Sequence, residues 1–191
     1  MYNSQPNQHS TNMIDASQLI ESYRSGKRDF SQIDLKQVHL SEVDLTEIKL
    51  WRANLTEINL SFSVLHQANL SESNLIGATL WQTDLTKACL NQAQLSRAFL
   101  IRANLEQANL SQTLLNGTEL RLACLRGADL RGADLSEANL SYADLRGANL
   151  IGANLDRAIL TGANLAQANL SNTNLEGTIL ERVNLNQVIL I

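Results

Sequence analysis

The chain has 191 residues and a formal charge of −4, from 15 Lys and Arg against 19 Asp and Glu. Its apolar fraction of 44% is almost wholly Leu, Ala and Ile, with only 4% aromatic and 18% charged residues, so Asn, Gln, Ser and Thr carry much of the polarity. One Pro and nine Gly exclude a collagen-like or Pro-rich chain, and the acidic balance excludes a basic phosphate-binding footprint.

Residues 1–12 are polar and carry neither a basic stretch nor an apolar run, so they are expected to be a disordered tail rather than a secretory signal. No run approaches the 18 or so apolar residues that a membrane span requires. Cys89 and Cys124 are too few for a disulfide scaffold and fit a reducing compartment, so the expected location is cytoplasmic. Residues 13–27 are expected to form a capping helix that starts near Asp15 and stops at Gly26, with Leu19, Ile20 and Tyr23 on one apolar side. That side would cover the open end of whatever core follows.

From Leu35 to Leu190 every fifth residue is Leu, 32 times in succession, and Phe30 opens the series in register. Two places before each Leu stand 18 Ala, five Thr, two Ser, four Val and three Ile, with no charge. The residue just before the Leu is Asn or Asp in 19 of the 32 cases, and eight of the nine glycines fall two places after a Leu. A five-residue step turns an α-helix by about 140° and would smear the leucines around it. On a flat strand an odd spacing would throw them onto alternate faces. The backbone must therefore turn between one Leu and the next, as a coil whose leucines and small residues point to the axis. The crowded axis explains the Ala, the recurrent Gly suggests a corner with φ > 0 as in a type II turn, and Asn or Asp suits turns by bonding nearby backbone. Pro6 lies outside the repeats, as expected where each N–H is needed between stacked coils.

The unbroken A(N/D)LXX pattern, as in Ala128-Asp-Leu-Arg-Gly-Ala-Asp-Leu-Ser-Glu-Ala-Asn-Leu140, resembles the pentapeptide-repeat proteins over about residues 28–191. The resemblance implies an all-β solenoid: a right-handed quadrilateral β-helix with four pentapeptides per coil, built of short bridges or strands joined by tight turns. Thirty-two pentapeptides make about eight coils, roughly 38 Å long at the spacing of paired strands.

No enzyme is expected. His9, His39 and His66 have no metal-ligand spacing, Cys89 and Cys124 stand on different faces, and the Asp residues follow the turn register. A filled rod offers no cleft for a catalytic carboxylate pair, and no phosphate loop or nucleophile motif is present. No cofactor, metal, nucleic acid or membrane is expected as a partner.

Folding the repeats at period 20 places Phe62, Trp81, Phe99, Ile101, Leu122, Tyr142, Ile159 and Ile179 on one side, the side of Leu40 to Leu180. Four of the five aromatics in residues 31–191 fall there, Trp51 being the exception. Phe62, Trp81, Phe99, Ile101, Leu122 and Tyr142 are the candidate protein-interaction face, the alternative being chance scatter over a weakly selected surface. Val183, Val188, Ile189 and Ile191 make the last coil unusually apolar and form a candidate edge for a tail-to-tail homodimer. Alternatively, these larger side chains close the coil themselves. The expected function is a rigid protein-interaction scaffold or regulatory adaptor with a protein partner of unknown identity. The resemblance also implies a second role, since some family members mimic DNA and bind type II topoisomerases such as gyrase. That role needs an acidic surface, whereas residues 31–191 hold 16 acidic and 12 basic residues spread over all faces.

Overall fold

A computed structural model describes residues 14–190, so the expected tail over 1–12 and Ile191 lie outside the described residues. Among the described residues a single helix, α1 (Ala16–Arg24), precedes the repeats. Asp15 caps it through a reciprocal pair: its side chain accepts the Gln18 N–H at 2.8 Å, and the Gln18 side chain accepts the Asp15 N–H at 3.0 Å. Leu19 is fully buried, and Ile20 and Tyr23 pack against the same core. The Tyr23 hydroxyl donates to the Thr46 carbonyl at 2.7 Å, and the Arg28 guanidinium lies 3.9 Å over the Tyr23 ring. The helix thus seats its apolar stripe on the first coils.

Asp29, before Phe30, and then each residue that precedes a Leu form a parallel bridge with the residue 20 places further on, from Asp29↔Lys49 to Asn169↔Ile189. One coil therefore takes 20 residues and four corners. The bridges are all isolated, and no extended strand forms among the described residues. Each five-residue side spends two residues on its turn, which leaves too short an arm for a longer ladder.

The backbone bonding of one repeat shows why the pattern is so strict. In Leu105–Asn109, the N–H groups of Leu105 and Gln107 donate up the rod to Cys124 and Arg126 at 2.7 and 2.9 Å, and that of Asn109 donates down to Ala88 at 2.9 Å. The Ala108 N–H closes the turn on the Leu105 carbonyl at 3.0 Å. The fifth N–H, on Glu106, donates to the Asn104 side chain at 3.1 Å. All five donors of this repeat are used, so proline at any of its five places would remove a hydrogen bond. Asp29, before Phe30, and every Asn or Asp in the place before a Leu, from Asp34 to Asn184, serve the N–H two residues on in this way.

The corner residue two places after each Leu has φ between 52° at Gln82 and 70° at Gly162, whether or not it is glycine. The sequence reading tied left-handed backbone to the glycines; the structure extends it to all repeats. With a negative φ before it and the closing hydrogen bond, the corner is a type II turn.

The axis is filled with side chains. Leucines from Leu35 to Leu165 are at most 1% exposed, interleaved with buried Ala. Where Ser or Thr replaces Ala, its hydroxyl donates to a leucine carbonyl, as Thr83 does to Leu60 at 2.8 Å and Thr113 to Leu90 at 2.9 Å. Among the described residues no buried side-chain nitrogen or oxygen lacks a partner.

Candidate protein-interaction surface

With the interior filled, chemistry is confined to the outward positions. Among the described residues no group of three or more His, Cys, Asp or Glu could hold a metal ion, and no helix is long and apolar enough to cross a membrane. Cys89 and Cys124 are free thiols, and the Cys89 thiol donates to the Asn91 side chain at 2.9 Å.

The side from Leu40 to Leu180 brings together most of the apolar candidates. Trp81, Ile101, Leu122 and Tyr142 line one trough of about 620 Å³, along with Arg102, Arg121 and Ser141. Phe62 packs against Trp81 at one end, their ring centroids 5.0 Å apart at 60°. Tyr142, 58% exposed, stands at the other end. Phe99 is exposed in the neighbouring column, while Ile159 and Ile179 sit further along the rod and do not line the trough. Trp51 faces another side and is tied down, its indole N–H donating to Glu72 at 3.2 Å with the Arg52 guanidinium 4.4 Å over its ring.

Of the corner positions, only those of Phe62, Leu122 and Tyr142 carry large apolar side chains, and all three stand at the same one of the four corners. Each holds φ near +60°, a backbone that costs a bulky residue on the order of 1 kcal/mol. The four corners are equivalent in their bonding, so this alignment is not required by the coil.

The trough holds one arginine without an acidic partner among the described residues, and Arg97 elsewhere on the rod is another. Most arginines of the mid-rod are neutralised locally: Arg126 pairs with Glu106 at 2.6 Å, Arg131 with Asp129 at 2.6 Å, Arg146 with Asp144 at 2.5 Å and Arg121 with Glu119 at 2.9 Å. The guanidinium hydrogen bonds hold the Asp129 and Asp144 carboxyls below the usual carboxylate range and raise the pKa of Arg126, Arg131 and Arg146. Arg102 forms no ion pair among the described residues. Sequence reasoning missed Arg102 and Arg121 as parts of this site because it summed charge over the whole rod. The signal was available in the period-20 columns, where Arg102 stands between Gln82 and Leu122.

At the other end the candidate dimer edge has a different composition from the one expected. Val183 and Val188 turn inward and are half-buried against the core, Ile189 is exposed, and Ile191 lies outside the described residues. The exposed apolar surface comes chiefly from the axial leucines themselves, Leu180, Leu185 and Leu190. These join Leu170, Leu175 and Val188 around a hollow of about 270 Å³. Among the described residues no further coil covers them, so the inward position does not guarantee burial.

Comparison with known proteins agrees with this geometry. The model of the pentapeptide repeats matches eight copies along residues 29–187. No curated protein sequence matches the chain. Among solved structures, HetL, a pentapeptide repeat protein involved in heterocyst differentiation regulation from the cyanobacterium Nostoc sp. strain PCC 7120, is 31% identical with a TM-score of 0.55. The match covers 93% of this chain and 98% of HetL. QnrB1, a plasmid-mediated fluoroquinolone resistance protein, shares the fold at 21% identity with a TM-score of 0.61, over 78% of this chain and 80% of its own. These likenesses imply a right-handed quadrilateral β-helix. The chain belongs to the pentapeptide-repeat family.

Proposed function

We propose that this protein is a non-enzymatic rigid scaffold, an eight-coil rod closed at its N-terminal end by α1, that binds a protein partner through the trough between Trp81 and Tyr142. The observation that carries this reading is the alignment of Phe62, Leu122 and Tyr142 at one corner, against the backbone cost of each. The likeness to HetL, involved in differentiation regulation, supports a regulatory adaptor working in the cytoplasm, where Cys89 and Cys124 would stay reduced. The topoisomerase reading rests on fold alone at 21% identity, and the local pairing of arginines with acids denies the rod the continuous anionic surface that DNA mimicry requires.

The test is a pull-down from the native organism with the wild-type chain and with a Phe62→Ser, Trp81→Ser, Tyr142→Ser triple variant of unchanged circular dichroism. The scaffold reading predicts a partner held by the wild type and lost by the variant; identical captures contradict it. A gyrase supercoiling assay, expected to show no inhibition, separates the second reading.

The exposed leucines of the last described coil support tail-to-tail dimerisation. Light scattering should show a dimer that Leu185→Asp dissociates, and a wild-type monomer at high concentration would remove it.

A further inference from the structure

Resting on the reading of the trough as a protein-binding surface, the geometry points to its occupant: we propose a short extended segment of a partner protein in which apolar side chains flank an Asp or Glu that pairs with Arg102. Trp81 and Tyr142 lie three coils apart, about 14 Å at the spacing of stacked strands, which accommodates about four residues of extended chain. Ile101 and Leu122 give that segment an apolar floor between Trp81 and Tyr142.

The rod offers it little backbone pairing. The corner N–H groups of these repeats donate along the axis, Arg102 to Arg121, Leu122 to Ser141 and Tyr142 to Thr161, whereas those of Trp81, Ile101 and Arg121 have no partner among the described residues. Those three stand successively one coil apart, about 4.8 Å, whereas an extended chain repeats its carbonyls on one side at about 6.8 Å, so recognition falls chiefly to side chains. The polar anchor is then Arg102, an unpaired guanidinium amid apolar surface, whose planar fork suits a carboxylate. Arg121 is held by Glu119 at 2.9 Å and leaves Arg102 as the open cation. The choice of a foreign acidic segment over a second copy also follows from charge. Two copies meeting trough to trough across a twofold axis would bring one Arg102 towards the other.

The test pans a phage-displayed random peptide library on the full chain. The expected result is enrichment of peptides with Asp or Glu within two residues of Leu, Phe or Trp. A synthetic peptide of the selected consensus should change Trp81 fluorescence in a Trp51→Phe chain. Its affinity should fall about tenfold in Arg102→Glu, less in Arg102→Gln, and also in Tyr142→Ser. Enrichment of basic peptides, no enrichment, or equal affinity for wild type and a folded Arg102→Glu would overturn the proposal. So would a wild-type dimer dispersed by Tyr142→Ser, which would assign the trough to a second copy. A native partner lost in the triple variant yet indifferent to Arg102→Glu would leave the scaffold standing and remove only the acidic segment.

Discussion

The ring of Tyr142 lies across the α-carbon of Gly162 one coil on, so closely that a β-carbon there would stand 2.6 Å from Cδ1 and Cε1 of the ring. Gly162 is thus the seat that lets the tyrosine fold along the rod. Gly147, with φ +66°, has open space where its β-carbon would be. Both Gly147→Ala and Gly162→Ala should cost on the order of 1 kcal/mol for backbone alone, and the second should cost about 1 kcal/mol more. Urea denaturation should show that excess, and Tyr142→Ser in the Gly162→Ala background should abolish it.

The axis should be unequal along its length. Leu100 is fully buried between coils, so Leu100→Ala should destabilise the protein by about 2–5 kcal/mol. Leu185 is 49% exposed on the last described coil, and Leu185→Ala should cost well under half as much. Denaturant midpoints for the two variants check the difference.

Backbone at the corners makes a sharper demand. Gln107 holds φ +57°. Gln107→Val should cost about 1–2 kcal/mol more than Gln107→Ala, because a β-branched residue fits left-handed backbone worst. The whole repeat series bears on this: the place two after a Leu holds Gln, Glu, Arg, Lys, Asn, Gly and three large apolar residues, but never Val, Ile or Thr. Thermal melts of the two variants test it.

Acid should weaken the mid-rod. Guanidinium hydrogen bonds from Arg131 and Arg146 lower the carboxyl pKa of Asp129 and Asp144 below the unfolded value of 3.8. A depressed folded pKa contributes stability that is present above the unfolded value and lost as pH falls through the folded one. Urea midpoints should therefore hold steady from neutral pH down to about 5 and fall below about 4. An Arg131→Gln, Arg146→Gln variant should start lower at neutral pH and decline less on acidification.

Much of this fold was legible in the sequence because the period is itself the geometry. A Leu at each fifth place with a small residue two before it cannot be satisfied by a helix or a flat strand, and Leu100 with Ala98 shows the result, both fully buried. The number of sides was carried by the resemblance rather than the period, since five-residue steps alone do not fix how many close a coil. The candidate face was half legible. Phe62, Trp81 and Tyr142 align in columns at period 20, but the freedom of Arg102 depends on which acids its neighbours take, and that is settled by side-chain geometry. The inward turn of Val183 and Val188 followed from the register, whereas the exposure of Leu185 and Leu190 depends on what stands above them.

The central claim is that one coil takes 20 residues, and it is tested most directly by a distance between spin labels. In a chain with Cys89→Ser and Cys124→Ser, labels at Gln67→Cys and Gln167→Cys occupy the same corner five coils apart. Double electron–electron resonance should give one narrow distribution centred near about 24 Å, as stacking at the paired-strand spacing requires. A broad distribution, or a distance displaced from that value by more than the label's own reach, would contradict the stacked coil and the trough built on it.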